Sequence, residues 1–323
     1  MAQARGGPTG LAIVVSAIVA HWLLPLSLLL RLWGERSAHL GGWLATIFFL
    51  GAYLVFLHVA GTWSWFGFRF RTLLPLVFVA TVAGTWPGWY GGAPAPAVDD
   101  WMPLFQWALG GVFVWLALRA WQGRRAPEFA LALGFPLRGG TFVVGQGGSS
   151  AVVNHHAPHR SQRFALDVLA LGPGGTRAQG LYPRDPERYA IWGAEVVSPC
   201  DGTVVSAADA FPDWTPPNRD PANPPGNHVA IETESAVVYL AHLMNGSVRV
   251  RVGERVRAGQ LLGLVGNSGN TTEPHLHVHA ESGRYSGQMS GGAGVPLLFG
   301  GKFLVRNDRV AVPAGESSTG ELS

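Results

Sequence analysis

Cysteine, lysine and charge are all scarce in this sequence, and each shortage narrows what the protein can be. Cys200 is the single cysteine, so a disulfide within the chain is excluded, although this does not fix the compartment. Charged residues form 13% of the 323 residues, against about 25% in typical soluble domains. That deficit excludes a disordered, highly charged protein and argues against an ordinary soluble enzyme along the whole chain. Lys302 is the single lysine, and the arginines flank hydrophobic runs, so no nucleic-acid partner is indicated.

The composition changes near residue 125. Eleven of the 13 tryptophans lie between Trp22 and Trp121. Eight basic and three acidic residues precede Pro127, whereas 15 basic and 17 acidic residues follow it. The sequence therefore predicts two units, 1–125 and 126–312, and a small polar tail, 313–323, that we expect to be disordered.

The first unit has the pattern of an α-helical transmembrane region in a lipid bilayer. A spanning helix needs about 20 mainly apolar residues, and tryptophans favour the membrane interface near the ends of such helices. The third apolar run is the shortest and contains Pro75 and Pro87. His21 and His58 lie within apolar runs, where we expect bundle-facing, hydrogen-bonded side chains. About four transmembrane helices are predicted, at 10–32, 40–60, 72–89 and 101–121.

The orientation of these helices is predicted by the arginines. With four spans, the N-terminus, the loop holding Arg69 and Arg71, and the stretch holding Arg119, Arg124 and Arg125 share one side of the membrane. The positive-inside rule then places the C-terminal unit in the cytoplasm. If the third run does not span, the two termini lie on opposite faces.

The second unit has the pattern of an all-β domain. Short β-type runs are separated by clusters of Gly, Pro and Asn, and long helical periods are scarce. The candidate strands are 141–144, 164–169, 202–206, 228–232, 236–240, 247–250, 261–265 and 275–280.

Eight of the 11 histidines lie in this second unit. His275, His277 and His279 alternate along a candidate strand, so all three project from one face. Neutral histidine fills a core poorly, whereas Zn2+ favours imidazole and carboxylate ligands. The strand is therefore predicted to supply part of a metal site.

Two segments carry a resemblance to a known family. "VVYLAHL…GERVRAGQLLGLVGNSGNTTEPHLHVH" and "WGAEVVSPCDGTVV" resemble lysostaphin-type (LytM-like) zinc metallopeptidases, which cut peptide cross-bridges or stems of bacterial peptidoglycan. The resemblance covers roughly residues 140–283, under half the chain. It implies a mostly antiparallel β-sandwich or barrel-like sheet with the metal in a groove, in agreement with the strand pattern.

The resemblance also implies roles for individual residues and one zinc ion per chain. His277, the second histidine of the final HxH, would be a zinc ligand, and Asp167 in "FALDV" would be another. His275 and His242, the histidine of "AHL", would be the catalytic pair that handles protons.

The first metal motif departs from the common HxxxD pattern, because Arg163 stands where a histidine is expected. A guanidinium group has no lone pair to give to zinc. The stretch from Asn154 to Asp167 is similar instead to a variant form, N-x-H…Q-x-[FY]-A-x-D. On that form His156 is the ligand, with His155 and His159 as the alternatives.

The function implied is that of a membrane-anchored zinc metalloendopeptidase that hydrolyses peptidoglycan peptides with a metal-activated water. The alternative is a catalytically silent module that binds the cell wall or regulates another hydrolase, and Arg163 favours it.

The substrate places the domain outside the cytoplasm of a bacterial inner membrane, against the arginine distribution. A cytoplasmic domain would process a different peptide. The several spans could also dock a membrane or cell-wall protein partner.

Overall fold

The computed structural model describes residues 10–34, 40–86 and 101–313, and the tail after Pro313 lies outside the described residues. Within these residues, helices precede Gly123 and the strands follow it. The helices are α1 (Gly10–Ile18), α2 (Leu24–Gly34), α3 (Leu40–Ala60), α4 (Arg69–Gly84) and α5 (Met102–Gln122). A π-helical turn, Val19–Leu23, joins α1 to α2, and a short 3-10 turn, Trp63–Trp65, follows α3.

Three helical stretches of the described chain are long and apolar enough to cross a membrane: Gly10–Gly34, Leu40–Ala60 and Met102–Gln122. The third apolar run forms α4, which has 16 residues and is about 24 Å long at 1.5 Å per residue. That is shorter than the ~30 Å hydrocarbon layer. Residues 87–89 of the predicted span lie outside the described residues, so a fourth span stays a prediction.

The helices α3 and α5 run parallel to each other. The side-chain amide of Gln106 donates to the hydroxyl of Thr46 at 3.0 Å, and at the other end Ala120 packs with Ala60. A Cβ added at Gly110 would lie 2.4 Å from the Phe48 ring, so glycine permits the close approach of the two helices. Because these two helices are parallel, the chain between them must return along the bundle.

The helix α4 makes that return beside α3. At its start, Arg71 Nε donates to the carbonyl of His58 at 2.9 Å. At its end, the indole N–H of Trp43 donates to the hydroxyl of Thr85 at 3.1 Å. Thus α4 covers the same length of the bundle as most of α3, despite its 16 residues.

The β-domain is built on one large sheet in which every pairing is antiparallel. The strands are β1 (Leu131–Leu133), β2 (Gly140–Gln146), β3 (Leu166–Ala170), β4 (Glu195–Val197), β5 (Gly202–Ala208), β6 (Asn227–Glu232), β7 (Ala236–Leu243), β8 (Arg255–Val256), β9 (Leu261–Leu264), β10 (Leu276–Ser282), β11 (Gly294–Val295), β12 (Leu297–Phe299) and β13 (Arg309–Val312). The strand order of the large sheet is β13-β2-β3-β10-β7-β6-β5-β8, with β11 paired to β10. Two further pairs, β1 with β12 and β4 with β9, complete the domain.

The expected fold class, an all-β and mostly antiparallel domain after an apolar helical region, is confirmed. Seven of the eight candidate strands overlap an observed strand. The prediction of a strand at 247–250 is wrong. That segment lies outside the strands, because the backbone N–H of Val248 donates to the Asp209 side chain and only the backbone N–H of Arg249 bonds to Leu262 of β9.

The β-domain sits directly on the ends of α3 and α5. The side-chain amide of Asn307 donates to the carbonyls of Val59 at 3.1 Å and Gly61 at 2.9 Å. Arg124, just after α5, pairs with Asp308 at 2.7 Å. Each contact joins a side chain of one unit to a group of the other, so the two units form one packed body at this point.

Replacement of Asn307 by Asp is expected to weaken this junction. Asparagine and aspartate both tolerate the φ of +71° at this position, so the change removes the amide donors without altering shape. A buried carboxylate oxygen would then face two carbonyls, at a cost of about 3 kcal/mol of unfolding free energy. Denaturant unfolding of the full chain in mild detergent measures the loss.

The matched control is Asn218→Asp, an exposed asparagine, which we expect to change the unfolding free energy by less than ~0.5 kcal/mol. Equal stability of the two variants would show that the Asn307 contacts do not hold the units together.

Candidate active site

His277 and Asp167 meet through the register of two neighbouring strands. They are directly paired residues of β10 and β3, a position that brings side chains on one face within reach of each other. The Nδ1 atom of His277 lies 2.9 Å from Oδ1 of Asp167. Along β10 the alternate residues Leu276 and Val278 enter the hydrophobic core, so the strand divides its faces between packing and the site.

His156 reaches the same carboxylate from the loop between β2 and β3. Asn154, which is fully buried, accepts the backbone N–H of His156 at 3.0 Å and donates to the carbonyl of Ala165 at 3.1 Å. Ala165 stands two residues before Asp167, so Asn154 ties together the two segments that carry His156 and Asp167.

The nitrogen–oxygen distances around Asp167 match those between ligands of one zinc ion. Nε2 of His156 lies 3.1 Å from each carboxylate oxygen, and Nδ1 of His277 lies 2.9 Å from Oδ1. Two atoms that each bind a tetrahedral zinc ion at about 2.0–2.1 Å are about 3.3 Å apart. A cation there would replace the protons that these pairs now share.

His155 is adjacent to this group. Its ligand nitrogen, that of His156 and a carboxylate oxygen of Asp167 all lie within 4.8 Å of one another, but its side chain is exposed. His159 is also exposed and lines the cleft, with its backbone N–H bonded to the carbonyl of His156 at 2.8 Å. Arg163 is exposed and its guanidinium lies over the Phe164 ring.

His275 lies beside the carboxylate on the approach to β10. Its Nδ1 atom is 2.9 Å from the carbonyl of Glu273 and 3.1 Å from the hydroxyl of Thr271, while Nε2 is 3.5 Å from Oδ1 of Asp167. A carbonyl only accepts, so Nδ1 carries a proton and Nε2 is the nitrogen that faces the site.

His242 reaches the site through an unusual backbone conformation. Strand alternation would place it on the face opposite Ala241, which pairs with His277. Its φ of +66° breaks that alternation, and its ring lies 4.8 Å from His275 and 5.8 Å from His277 between centroids. Its Nδ1 atom donates to the carbonyl of Ser268 at 2.9 Å, which leaves Nε2 as the available nitrogen.

A second chain of contacts runs from the far side of His277. Its Nε2 atom is 3.0 Å from Nδ1 of His279, and Nε2 of His279 is 3.3 Å from the carboxylate of Glu281. Glu281 accepts the backbone N–H groups of Ser290 at 2.7 Å and Gly292 at 2.9 Å. These contacts fix the His277 ring with Nδ1 towards Asp167, and the sequence alone left the role of His279 open.

Burial and the central carboxylate set the charges in the site. Burial opposes ionisation of Asp167, but the imidazoles of His156 and His275 hold its pKa well below the ordinary value. Burial likewise works against a charged His156, yet Asp167 outweighs it and raises the pKa of that imidazole. Burial lowers the pKa of His277 to about 3 and that of His242 well below its ordinary value. His277 and His242 are therefore neutral at pH 7, as a ligand and a proton acceptor require.

These groups line one cleft of about 740 Å³. The structure thus brings together all five residues singled out from the sequence, His156, Asp167, His242, His275 and His277. Their assignment as ligands and catalytic groups stays a prediction. The cleft has a further wall that the sequence did not reveal, formed by Gly61, Thr62, Ser64 and Trp65 from the helical unit.

Comparison with known proteins assigns part of the domain. Residues 189–288 match the family model of Peptidase family M23. The matched stretch contains His242, His275 and His277, while His156 and Asp167 precede it.

Two curated relatives are similar over short lengths. Glycyl-glycine endopeptidase ALE-1 of Staphylococcus capitis is 30% identical over 94 residues, which is 29% of this chain and 23% of the relative. Cell division protein DipM of Caulobacter vibrioides (strain NA1000 / CB15N) is 31% identical over 113 residues, 34% of this chain and 16% of the relative. The chain therefore matches less than a quarter of the length of either protein.

Similar solved structures include two peptidases. The catalytic domain of lysostaphin from Staphylococcus simulans shows 22% identity and a TM-score of 0.24, with 37% of this chain and 85% of that chain covered. A putative peptidase M23 from Pseudomonas aeruginosa shows 19% identity and a TM-score of 0.29, with 55% and 54% covered.

Replacement of Glu281 by Gln is expected to weaken metal binding without removing a ligand. The change leaves His279 without its carboxylate, so the His277 ring loses part of its orientation and basicity. Loss of such an outer contact typically costs about 10–100-fold in metal affinity. Competition titration with a fluorescent zinc chelator measures it, with Glu234→Gln on an exposed turn as the matched control. Unchanged zinc affinity in Glu281→Gln would exclude this orienting role.

Proposed function

We propose that this chain, whose C-terminal domain is a lysostaphin-type domain of Peptidase family M23, is a membrane-anchored zinc metalloendopeptidase acting on peptidoglycan peptides. The observation that carries the proposal is the convergence of two imidazole nitrogens on Asp167 at 2.9–3.1 Å, in a cleft that also holds His242 and His275. A carboxylate and two imidazoles are three protein ligands, which leaves one position of a tetrahedral zinc ion for water or substrate.

His156, Asp167 and His277 would hold the ion through Nε2, a carboxylate oxygen and Nδ1. A bound zinc ion supplies a water of pKa near ~7 and a Lewis acid for the scissile carbonyl. Asp167 contributes a full negative charge because its pKa is held far below neutrality. The ring of His277 is held for this role by His279 from behind.

His242 and His275 are suited to move protons during amide hydrolysis. Each has its Nδ1–H engaged by a backbone carbonyl, so each has Nε2 free to exchange a proton. One imidazole accepts a proton from the attacking water, and a protonated imidazole can deliver one to the leaving amine. Glu273 is not positioned as a free base in their place, because its carboxylate is held by Arg177 at 2.7 Å.

The peptide substrate is inferred from the family and from one relative. ALE-1 is named a glycyl-glycine endopeptidase, which supports hydrolysis of a peptide bond as the reaction class. Peptidoglycan peptides are the substrate class that the lysostaphin-type resemblance implies. The short matched length means that the bond cut is part of the proposal.

The domain is proposed to lie outside the cytoplasm of a bacterial inner membrane, where peptidoglycan is. Two of the arginines that argue for the cytoplasmic side have another use in the fold. Arg124 pairs with Asp308 at 2.7 Å, and Arg71 bonds the His58 carbonyl. The position of Arg124 is therefore accounted for by docking of the β-domain, and that of Arg71 by packing of α4 against α3.

The silent-module alternative depended on Arg163 in the place of a ligand. Arg163 is exposed and turned onto Phe164, and His156 lies at the carboxylate in its stead. The proposed donor set does not need residue 163, and this supports the enzyme over the silent module. Zinc content of the purified protein separates the two functions, since a silent module should hold little metal.

Two alanine variants separate binding from chemistry. His277→Ala should lose both zinc and turnover, because it removes a ligand. His242→Ala should keep zinc while turnover falls by at least ~100-fold, the usual contribution of a general acid or base. Zinc is measured by atomic emission on the full chain in detergent, and turnover by release of amines from purified peptidoglycan.

His159→Ala is the matched control, since this exposed histidine also lines the cleft. It should keep zinc and turnover. Loss of zinc in His159→Ala, or full activity in His277→Ala, would contradict the ligand set.

The membrane side is tested by fusions to the C-terminus. Alkaline phosphatase becomes active only outside the cytoplasm, whereas a green fluorescent protein exported by the general secretory route stays dark. We expect active phosphatase and dark cells. The reverse pattern would place the domain in the cytoplasm, with a peptide other than mature wall as its substrate.

A further inference from the structure

The helical unit does more than anchor the domain, because it supplies one wall of the cleft. We call this wall the hairpin wall and define it as residues 61–65, between α3 and α4. Gly61, Thr62, Ser64 and Trp65 line the same cleft as His156 and the other site residues. We infer that the substrate of this site is a peptide tethered to the bilayer surface and cleaved there, against the hairpin wall. This inference rests on the proposed function.

The hairpin wall is held rigidly by the helical bundle. The backbone N–H of Thr62 donates to Nε2 of His21 in the first helix at 3.0 Å. The indole N–H of Trp63, whose side chain is 1% exposed, donates to the carbonyl of Leu57 in α3 at 2.8 Å. Both contacts fix the wall relative to the apolar helices rather than to solvent.

The hairpin wall is also joined to the reaction centre by packed side chains. The Arg177 guanidinium lies 3.8 Å from the centre of the Trp65 ring, and its Nε donates to the Glu273 carboxylate at 2.9 Å. The carbonyl of Glu273 in turn accepts Nδ1–H of His275. Arg177 is 1% exposed. Arg177 also donates its backbone N–H to the carbonyl of Ser64 at 2.8 Å. The cleft therefore cannot lift away from the helical unit without breaking this hydrogen bond and uncovering the buried guanidinium.

The length of α3 places the cleft close to the bilayer. This helix has 21 residues, about 31 Å at 1.5 Å per residue, which matches a ~30 Å hydrocarbon layer. It ends at Ala60, and Gly61 already lines the cleft. On the same side, the carbonyl of Gly123 just after α5 accepts the backbone N–H of Ser149. No linker separates the domain from either of these helix ends.

The first helical stretch, Gly10–Gly34, extends beyond the end of α3 on the side of the β-domain. His21 is level with Thr62, and ten residues earlier Leu11 is 73% exposed. Gly10 lies against Tyr182, whose hydroxyl donates to the carbonyl of Thr272 on the cleft rim at 2.8 Å. An apolar helix thus rises along the flank of the cleft.

The exposed apolar residues of this helix form one stripe at helical spacing: Leu11, Val15, Val19, Leu23, Leu26 and Leu30. All six residues lie within the predicted span 10–32. The apolar surface of this helix therefore continues past the level of Thr62 and along the flank of the cleft to Leu11, near Tyr182. The mouth of the cleft then lies at the depth of the lipid headgroups. A peptide attached to a lipid reaches the cleft at that depth, whereas a peptide far from the membrane does not.

The first test varies the distance between a peptide and its anchor. Peptide fragments of purified peptidoglycan are coupled to phosphatidylethanolamine through ethylene-glycol spacers and mixed with the full chain in vesicles. Lengthening the spacer from about 10 Å to about 50 Å should lower the cleavage rate roughly tenfold, because effective concentration falls as the −3/2 power of length.

A cleft that stands well above the membrane would show the opposite order, since short tethers could not reach it. A rate that rises with spacer length, or does not depend on it, overturns the inference. Cleavage of free fragments but of no tethered ones overturns the inference and leaves the proposed function standing. Absence of both zinc and all cleavage overturns the proposed function, and the second test then decides the location.

The second test measures depth and needs no activity. In a Cys200→Ala background, Thr272→Cys on the cleft rim carries a small fluorophore, and vesicles contain lipids with a quencher on the headgroup. The matched control is Glu234→Cys, on the turn at the other end of β7 from His242. We expect at least fivefold stronger quenching at residue 272. Equal quenching at the two positions overturns the inference.

Discussion

A single buried carboxylate governs the arrangement of the site. Asp167 is 8% exposed, and burial of an unpaired charge is costly. The imidazoles of His156 and His277 compensate it at 3.1 and 2.9 Å, and each is fixed from behind by another contact, through Asn154 and His279. In the metal-free protein these pairs are hydrogen bonds. The same nitrogen–oxygen spacing is compatible with a cation. The compensation of the buried charge, which stabilises the fold, would therefore also preform the proposed metal site.

Part of this arrangement follows from the sequence alone. Alternation along the candidate strand 275–280 predicts that His275, His277 and His279 project from one face, whereas Asp167 was assigned to the site only through the family resemblance. The position of His242 could not be derived in this way, because a φ of +66° reverses the strand alternation at that residue. The strand predicted at 247–250 failed for a similar reason, since side-chain acceptors such as Asp209 replace the ladder there.

The helical unit shows the same limit of local patterns. Apolar run length identified the helices, but run length does not report how helices lie against one another. The parallel pairing of α3 and α5, with Gly110 against Phe48, obliges the chain to return beside α3. Tertiary contacts also account for the position of arginines such as Arg124, which pairs with Asp308. From the composition alone, such an arginine is only a positive charge on one side of a membrane.

Composition places the boundary between the two units near residue 125, yet the boundary of the site is elsewhere. Trp65 belongs to the helical unit by sequence and to the cleft by position. The Trp65 ring packs on the Arg177 guanidinium, which pairs with the Glu273 carboxylate. The backbone carbonyl of Glu273 in turn accepts Nδ1–H of His275. A cut at the compositional boundary would remove one wall of the cleft and expose the buried guanidinium. The cleft therefore belongs to the whole packed body, and under the proposed function the apolar helices contribute both to the location of the site and to its choice of substrate.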